Sequence, residues 1–596
     1  MNTANAGFVP AIESFLVRKY SLPALVALAV LGVFLIGVKY RPAGDTAPAE
    51  LLPISIIREG NLDFNEFLPH RGIVGEGGLP YWLRDINGRV VSEYPIMPGL
   101  LNLPVYLAAS LFQVDLLERR FALSLWTAAV IAAISVFFFQ LGLLRIAQRR
   151  STALIFSLIY AFATGVWSVA CRGLWQHGPA LMFFSIALFL LVSDKDQLIR
   201  LAGLFLGLAL VNRPSDALLV LPLMVYVLIR RRRTFAGLFA LAAIPVILLG
   251  VYSLRYRGSI LSFGIGRVNS LGDLNGNMLT GIAGLLASPN RGLLVFSPFL
   301  AFGLGYLFWA LFARHSMPIL RYLAIGVIAL LMLTARWSMW WGGHSFGYRL
   351  LIDLIPFLTI FTALCWEQFI ARRWYRKAIF FSLVAVSVYF HFLGSYYYPS
   401  GFNTIPGNID YETARLWDVR DSELARCTRK LGQDLQPKPE LPAESEAGST
   451  FLAKVRHNSP NKHFAGFYPA ENDFRWSRGD SCAISFKLGR VDPDTGYELW
   501  LLAGALGEQL ITLLINGTRR CELPLASTEP EQLVISVNPR VLKSNQWNTV
   551  TFLIPGARQA SETDPRIVGL AFRELGLKAV QPLRPARSNS GPADAQ

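Results

Sequence analysis

Arg336-Trp337-Ser338-Met339-Trp340-Trp341-Gly342-Gly343-His344-Ser345-Phe346-Gly347-Tyr348-Arg349-Leu350-Leu351-Ile352-Asp353 lies between two long apolar runs, near 319–335 and 350–369. It therefore falls where one membrane helix leaves the bilayer and the next re-enters. Trp337, Trp340 and Trp341 suit the membrane–water interface, where an amphipathic ring prefers the headgroup level. Gly342, Gly343 and Gly347 allow tight turns and close approach of a ligand to the backbone. Arg349 and Asp353 stand four apart, so on a helix they share one face with each other. Ionisable groups at membrane depth are costly, and they mark a cavity or a partner. The plainer alternative is an aromatic anchor with a salt bridge inside one helix.

Working outward, composition sets the class. Of 596 residues, 53% are hydrophobic and 16% charged, which describes a polytopic membrane protein and not a soluble one. The net charge of +16 suggests nucleic acid only if position is ignored. Many of the basic residues sit between apolar runs, where they set topology instead. The five cysteines, Cys171, Cys365, Cys427, Cys482 and Cys521, show no metal-ligand spacing. The last two could form a disulfide if the C-terminal domain lies outside the cytoplasm.

Residues 1–20 form a polar to mixed N-terminus, and the first apolar run, about 21–38, is long enough to span the hydrocarbon as an uncleaved segment. Further candidate spans lie near 121–144, 152–170, 178–193, 199–212, 215–229, 235–252, 292–312, 319–335, 350–369 and 378–395, about eleven in all. Basic residues fall on alternate connections: Arg18 and Lys19, Arg145 to Arg150, Lys195 and Arg200, Arg230 to Arg233, Arg314 and Arg321, and Arg372 to Lys377. The positive-inside rule makes these cytoplasmic, with the N-terminus inside and the C-terminus outside.

The segments 40–120, 171–178, 213–214, 253–291 and 336–349 then share the outer face, and they hold most of the conspicuous polar residues. In the first, Glu59-Gly60-Asn61-Leu62-Asp63-Phe64-Asn65-Glu66 places two carboxylates three apart, at Asp63 and Glu66. Either is placed to take a proton from an attacking hydroxyl, or is simply a surface acid. The apolar run 100–113 is too short to span comfortably and is expected to lie along the outer interface. Arg172, Trp175 and His177 follow in the second segment. Arg172 and His177 could contact a phosphate or a sugar hydroxyl, or His177 could be only a helix-start residue. Arg213 breaks an apolar pair at Asn212-Arg213-Pro214, where an anionic headgroup is a natural partner. Arg291, an ordinary snorkelling residue by itself, joins Arg172, Arg213 and Arg349 as a candidate anion-binding set.

These motifs together resemble the GT-C class of polytopic glycosyltransferases, especially the bacterial relatives of protein O-mannosyltransferases and the lipid A aminoarabinose transferases. The resemblance rests on Gly60 to Asp63, Leu174 to His177, Asn212 to Pro214, Ser288 to Pro298 and Trp340 to Arg349, and it covers roughly residues 20–395. It implies a sugar carried on polyprenyl phosphate and transferred, with inversion, to an acceptor on a lipid, glycan or protein at the outer face of a bacterial inner membrane. It also implies an acidic base in the first outer loop, for which Asp63 is the better match and Glu66 the other choice. Arg172, Arg213, Arg291 and Arg349 then become donor-phosphate contacts. His177, Trp175, Trp341, His344 and Asp353 become sugar or acceptor contacts. No glycine-rich phosphate loop follows a strand, so no nucleotide-binding fold is expected, and neither a metal nor a cofactor is expected.

After about residue 396 the composition changes. Residues 396–450 are read as a linker, and short alternating runs from 451 to 580 predict an all-β sandwich of jelly-roll type, exported with the C-terminus. Asn516-Gly517-Thr518 is a hairpin turn signal that also fits a glycosylation acceptor pattern. Tyr468, Trp476 and Trp547 could stack on sugars or fill the sandwich core, and 581–596 read as a disordered tail. The expected fold is therefore an α-helical polytopic membrane domain followed by a β-sandwich. The rival function is a transporter or flippase of lipid-linked sugars, which would show matched repeats of broken helices.

Overall fold

The computed structural model describes residues 8–37, 43–70, 79–260, 271–313, 317–403, 408–435, 451–454, 464–469, 471, 474–525, 528–561 and 564–580. The expected tail at 581–596 lies outside the described residues, as do the linker residues 436–450. The chain divides into two compact units, Met1–Leu435 and Gln436–Gln596.

In the first unit every expected apolar stretch is helical. Among the described residues, five helices are long and apolar enough to cross a membrane: Arg120–Ile146, Arg232–Arg257, Pro318–Arg336, Arg349–Ile370 and Trp374–Tyr396. Shorter apolar helices include Arg150–Phe162, His177–Leu191, Met278–Ala287 and Leu300–Phe312. The first helix, Phe8–Leu35, begins within the segment expected to precede the span. The pair Asp196–Asn212 and Ala217–Arg230 breaks at Arg213-Pro214, because a proline supplies no donor to the turn before it. The same chemistry splits the run expected as one span at 292–312. Pro298 separates Leu293–Phe296 from Leu300–Phe312. The short run 100–113 forms Met97–Leu111, whose Leu107, Leu111 and the following Phe112 are exposed.

Residues 396–435 differ from their reading as a linker. They pack into the helical unit through a buried ion pair between Arg291 (1% exposed) and Glu423 (0% exposed). The Arg291 guanidinium also donates to the carbonyls of Trp341, Asn290 and Gly343 and to Asn403 Oδ1. The second oxygen of Glu423 accepts from the Gly347 amide at 2.8 Å. A buried charge needs this many partners, since desolvation otherwise outweighs the Coulomb gain. Arg291 is thus a strut between segments of the fold, with its donors spent inside the protein.

The second unit is a sandwich of two five-stranded antiparallel sheets. One runs β10 (Glu531–Val537), β7 (Gly496–Ala505), β14 (Leu570–Val580), β3 (Phe451–Lys454), with β5 (Arg475–Trp476) also on β14. The other runs β4 (Phe464–Ala465), β6 (Ser481–Lys487), β11 (Trp547–Leu553), β8 (Gln509–Ile515), β9 (Thr518–Leu525). Alternate residues such as Leu499, Leu501, Ile511, Leu513, Val550 and Phe552 meet between the sheets. Register rules out the disulfide considered above. Cys482 faces Phe552, Phe552 faces Leu513 and Leu513 faces Cys521. Three strand spacings separate the two Cα atoms by roughly 14 Å, well past the limit of about 7 Å for bridged Cα atoms. Asn516 takes a positive φ of 50° in the β8–β9 turn. Its amide bonds Val541 O, Asn548 Oδ1 and the Thr549 amide, so the side chain serves the turn and is not presented as an acceptor. The Tyr468 ring lies under Arg478 and Arg566, and Trp476 packs edge-on against Phe474. Trp547 is 54% exposed.

Glu423→Ala strands the Arg291 charge in the interior. It is expected to cost about 3–5 kcal/mol, seen as a large fall in the melting temperature of the detergent-solubilised protein, whereas Trp547→Ala should leave it nearly unchanged.

Candidate active site

The helix Ala47–Glu59 begins at Thr46-Ala47-Pro48, where a proline in the first turn loses no hydrogen bond, and it closes on Gly60 with φ +67°. The turn Gly44–Thr46 before it is pinned by the Thr46 hydroxyl, which donates to the Ala43 carbonyl. This geometry directs Asp45 sideways into the helical unit. Its Oδ2 accepts from Arg349 Nη1 at 2.6 Å, and its Oδ1 accepts from the hydroxyls of Tyr81 and Tyr94, each at 2.7 Å. Burial pushes the Asp45 carboxyl up, but the Arg349 guanidinium and the two phenols outweigh it and hold it below the ordinary range. Burial and the Asp45 charge push both phenols up, so they stay protonated donors.

Arg349 comes from the opening stretch of sequence. Gly342, Gly343 and Gly347 there take φ of +74°, +64° and +58°, so the loop folds back on itself. Arg349 Nη2 donates to the Gly342 carbonyl, and the guanidinium lies over the Trp175 ring at 4.3 Å. Its Nε is buried with no acceptor among the described residues. Four residues on, Asp353 is 0% exposed; its Oδ1 meets His177 Nδ1 at 3.0 Å and its Oδ2 meets Arg213. Arg349–Leu354 is a 3-10 helix, with three residues per turn, so the two residues do not share the face expected of an α-helix; Arg349 pairs with Asp45, and Asp353 with His177 and Arg213. The loop is held from behind by Tyr348. Its hydroxyl joins Ser297 Oγ at 2.8 Å, and Ser297 Oγ meets His391 Nε2 at 2.9 Å. His391 Nδ1 closes the network on Ser168 at 2.7 Å.

The structure thus brings together Trp175, His177, Arg213, Arg349 and Asp353, and adds Asp45, Tyr81 and Tyr94, which the sequence reading passed over. Asp45 was legible only as a lone carboxylate just beyond the first apolar run. Asp63 and Glu66, expected as the base, join none of these groups by any hydrogen bond or ion pair among the described residues. Among the described residues Asp63 accepts one hydrogen bond, from the Asn65 amide at 3.5 Å, and the neighbouring Leu62 amide donates to Tyr256. The Glu66 oxygens turn inward beside Ser55, and burial raises that carboxyl. Arg172 is also absent from the cluster: it donates to the Trp167 and Phe34 carbonyls and lies over Tyr396. Trp340 and Trp341 are buried in protein instead of facing lipid, and Trp341 Nε1 donates to Asp410 at 2.8 Å. His344 pairs with the same Asp410 at 3.3 Å.

No family model matches the chain, and no curated protein matches it. Among solved structures, ArnT from Cupriavidus metallidurans, bound to undecaprenyl phosphate, is similar at 14% identity. The match covers 69% of this chain and 75% of that one, with a TM-score of 0.42. An oligosaccharyltransferase from Archaeoglobus fulgidus is similar at 12% identity over 67% of this chain and 58% of that one, with a TM-score of 0.40. A GH26-CBM35 β-(1,4)-mannanase from Podospora anserina matches 24% of this chain and 30% of its own length, at 12% identity and a TM-score of 0.16. The chain therefore spans less than two thirds of the mannanase and of the oligosaccharyltransferase.

The hydrogen bond to Asp410 raises the His344 imidazole above its ordinary value, more than burial lowers it. A raised imidazole contributes stability below its unfolded value and loses it as pH rises through the folded one. His344→Gln should therefore lower the melting temperature more at pH 6 than at pH 8, in paired thermal melts.

Proposed function

We propose that this chain is a membrane-embedded glycosyltransferase that takes a sugar from a polyprenyl-phosphate donor and passes it to an acceptor hydroxyl or amine. The observation that carries the reading is the buried Asp45–Arg349 pair with its open donor, Arg349 Nε. A buried donor without an acceptor is costly unless a ligand supplies one. Here the free N–H belongs to a guanidinium stacked on Trp175, beside His177 and Arg213. A phosphate oxygen fits that position by charge and geometry. The multi-pass character of the chain supplies the lipid access that a polyprenyl tail needs.

In the proposed reaction the acceptor oxygen gives its proton to Asp45 and its electron pair to the anomeric carbon. The bond from that carbon to the phosphate oxygen breaks, and its electrons stay on the phosphate. A diester becomes a monoester, and the added charge develops against Arg349 and Arg213, which stand fixed before the reaction begins. Attack from the side opposite the leaving phosphate inverts the anomeric centre. Asp45 takes the place first given to Asp63, because it alone of these acids in the first outer segment shares the arginine. His177 and Asp353 are proposed to hold Arg213 and the sugar in register. Arg172 is not proposed as a phosphate contact because it stands apart from the cluster, on the Trp167 and Phe34 carbonyls and over Tyr396, with Nη2 its unpaired donor among the described residues. Arg291 is not, because its donors serve carbonyls, Asn403 and Glu423. The membrane proposed is the bacterial inner membrane, with the site and the sandwich on its outer side.

A transporter of lipid-linked sugars would need the site to open to both leaflets through matched broken helices. The two proline breaks described, at Pro214 and Pro298, join helices of 17 and 14 residues in one case and 4 and 13 in the other, not a matched repeat. Purified protein in lipid, given radiolabelled polyprenyl-phosphate sugars, separates the two. Asp45→Asn should lower transfer and donor hydrolysis by about 10³-fold or more while donor binding persists. Arg349→Met should weaken donor binding itself. Movement of the intact donor between leaflets without cleavage would sink the enzyme reading.

A further inference from the structure

Asp45 divides its two oxygens between different surroundings. Oδ2 faces Arg349, which is 9% exposed, and through it Trp175 and Arg213. Oδ1 faces Tyr94, 7% exposed, and Tyr81, which keeps 56% of its surface open. The arginine side is closed and cationic, and the Tyr81 side is open and aromatic. A donor held by its phosphate occupies the first, so the acceptor must reach the carboxylate past the second.

Tyr81 is also held unusually firmly for an exposed aromatic residue. Its hydroxyl is anchored on Asp45 at 2.7 Å, and the Tyr94 ring meets it at 6.5 Å and 75°, edge to face. Gly44 makes that reach available, because a Cβ there would stand 2.2 Å from the Tyr81 oxygen. The outcome is a rigid ring face, open to solvent, attached directly to the carboxylate proposed as base. A fixed aromatic face loses little entropy on binding and suits a flat apolar surface. A pyranose ring has such a surface, formed by its axial C–H bonds, and carries its hydroxyls at the rim. A serine or threonine hydroxyl on an extended peptide has none.

We infer that Tyr81 is the platform on which the acceptor stacks, and that the acceptor is a glycan whose sugar ring lies against it. The inference rests on the glycosyl-transfer reading and extends it by naming the acceptor class. Stacking places a rim hydroxyl of that ring toward Asp45 Oδ1, while the bond-making and bond-breaking steps stay as given above. When Oδ1 receives the proton it releases one phenol hydrogen bond, and the Tyr94 contact, the more buried of the two, holds the carboxyl in place.

The test is steady-state transfer from a radiolabelled polyprenyl-phosphate sugar to two acceptors, an oligosaccharide and a serine- and threonine-containing peptide. Wild type is compared with Tyr81→Ala, Tyr81→Trp and Tyr81→Phe. The oligosaccharide should be the preferred acceptor. Tyr81→Ala should raise its KM about tenfold or more, with the donor KM moving less than about twofold. Tyr81→Trp keeps a ring face and should retain most of the acceptor affinity, which separates loss of stacking from loss of folding. Tyr81→Phe keeps the ring but loses its anchor and should fall between the two. An acceptor KM that moves no more than the donor KM, or a preference for the peptide, would overturn the inference while leaving the glycosyltransferase reading intact. Wild type that neither binds nor cleaves any polyprenyl-phosphate sugar removes that reading, and this inference with it.

Discussion

A guanidinium inside an apolar helical domain has to find a counter-charge, and the first unit is arranged around meeting that need at Arg349. Its partner, Asp45, stands 304 positions earlier in the chain, at the start of the first outer segment. The pair therefore ties the entry of one helix to the exit of another. It also fixes which face of the opening loop turns inward. Arg349 and Asp353 belong to one short 3-10 helix, Arg349–Leu354, so placing the first against Asp45 also fixes where the second meets His177 and Arg213. Two carboxylates, two arginines and a histidine are then held at one end of the helical unit by a single local geometry.

Behind that pair stand groups whose work is structural. Tyr348, Ser297, His391 and Ser168 form a buried chain of hydrogen bonds, and Arg291 with Glu423 locks residues of 400–435 against the same loop. Fully satisfied polar networks of this kind specify one arrangement of packed helices, because any slip leaves a buried group unpaired. They also explain why arginines that look alike in sequence behave differently. Arg291 spends its donors on the protein, and Arg172, bonded to two carbonyls away from the cluster, keeps Nη2 unpaired among the described residues. Arg349 keeps Nε unpaired over Trp175, in the cluster where Arg213 meets His177. The difference lies in which groups surround each guanidinium: backbone carbonyls around Arg172, and Asp45 with Trp175 around Arg349.

Much of this was readable in the chain. The apolar runs and the breaks at prolines predict the helices, since spacing and length decide whether a segment crosses hydrocarbon. Alternation in 451–580 predicts the strands, and Asn516-Gly517 predicts the turn it makes. Arg213, Arg349, His177 and Asp353 stood out because an ionisable residue beside apolar runs is itself a signal. Asp45 did not stand out. In Gly44-Asp45-Thr46-Ala47-Pro48 it reads as an ordinary residue before a helix, while the pair Asp63 and Glu66 drew attention by spacing alone. The tryptophans of the opening loop were read as interfacial for their type, yet Trp340 and Trp341 are enclosed because Gly284 and Asp410 give them room and a partner.

The sequence by itself determined that this is a polytopic membrane chain with a β domain after it, and that its polar residues gather in the segments between helices. Those properties follow from local composition and periodicity, which each segment carries alone. Only the tertiary structure decided which carboxylate meets which arginine, that residues 396–435 belong to the helical unit, and that Cys482 and Cys521 stay apart. Pairings of that kind depend on the register between segments hundreds of residues apart. The physical reason is that a buried charge is satisfied by whatever stands beside it in space, and neighbours in space leave no mark in local spacing.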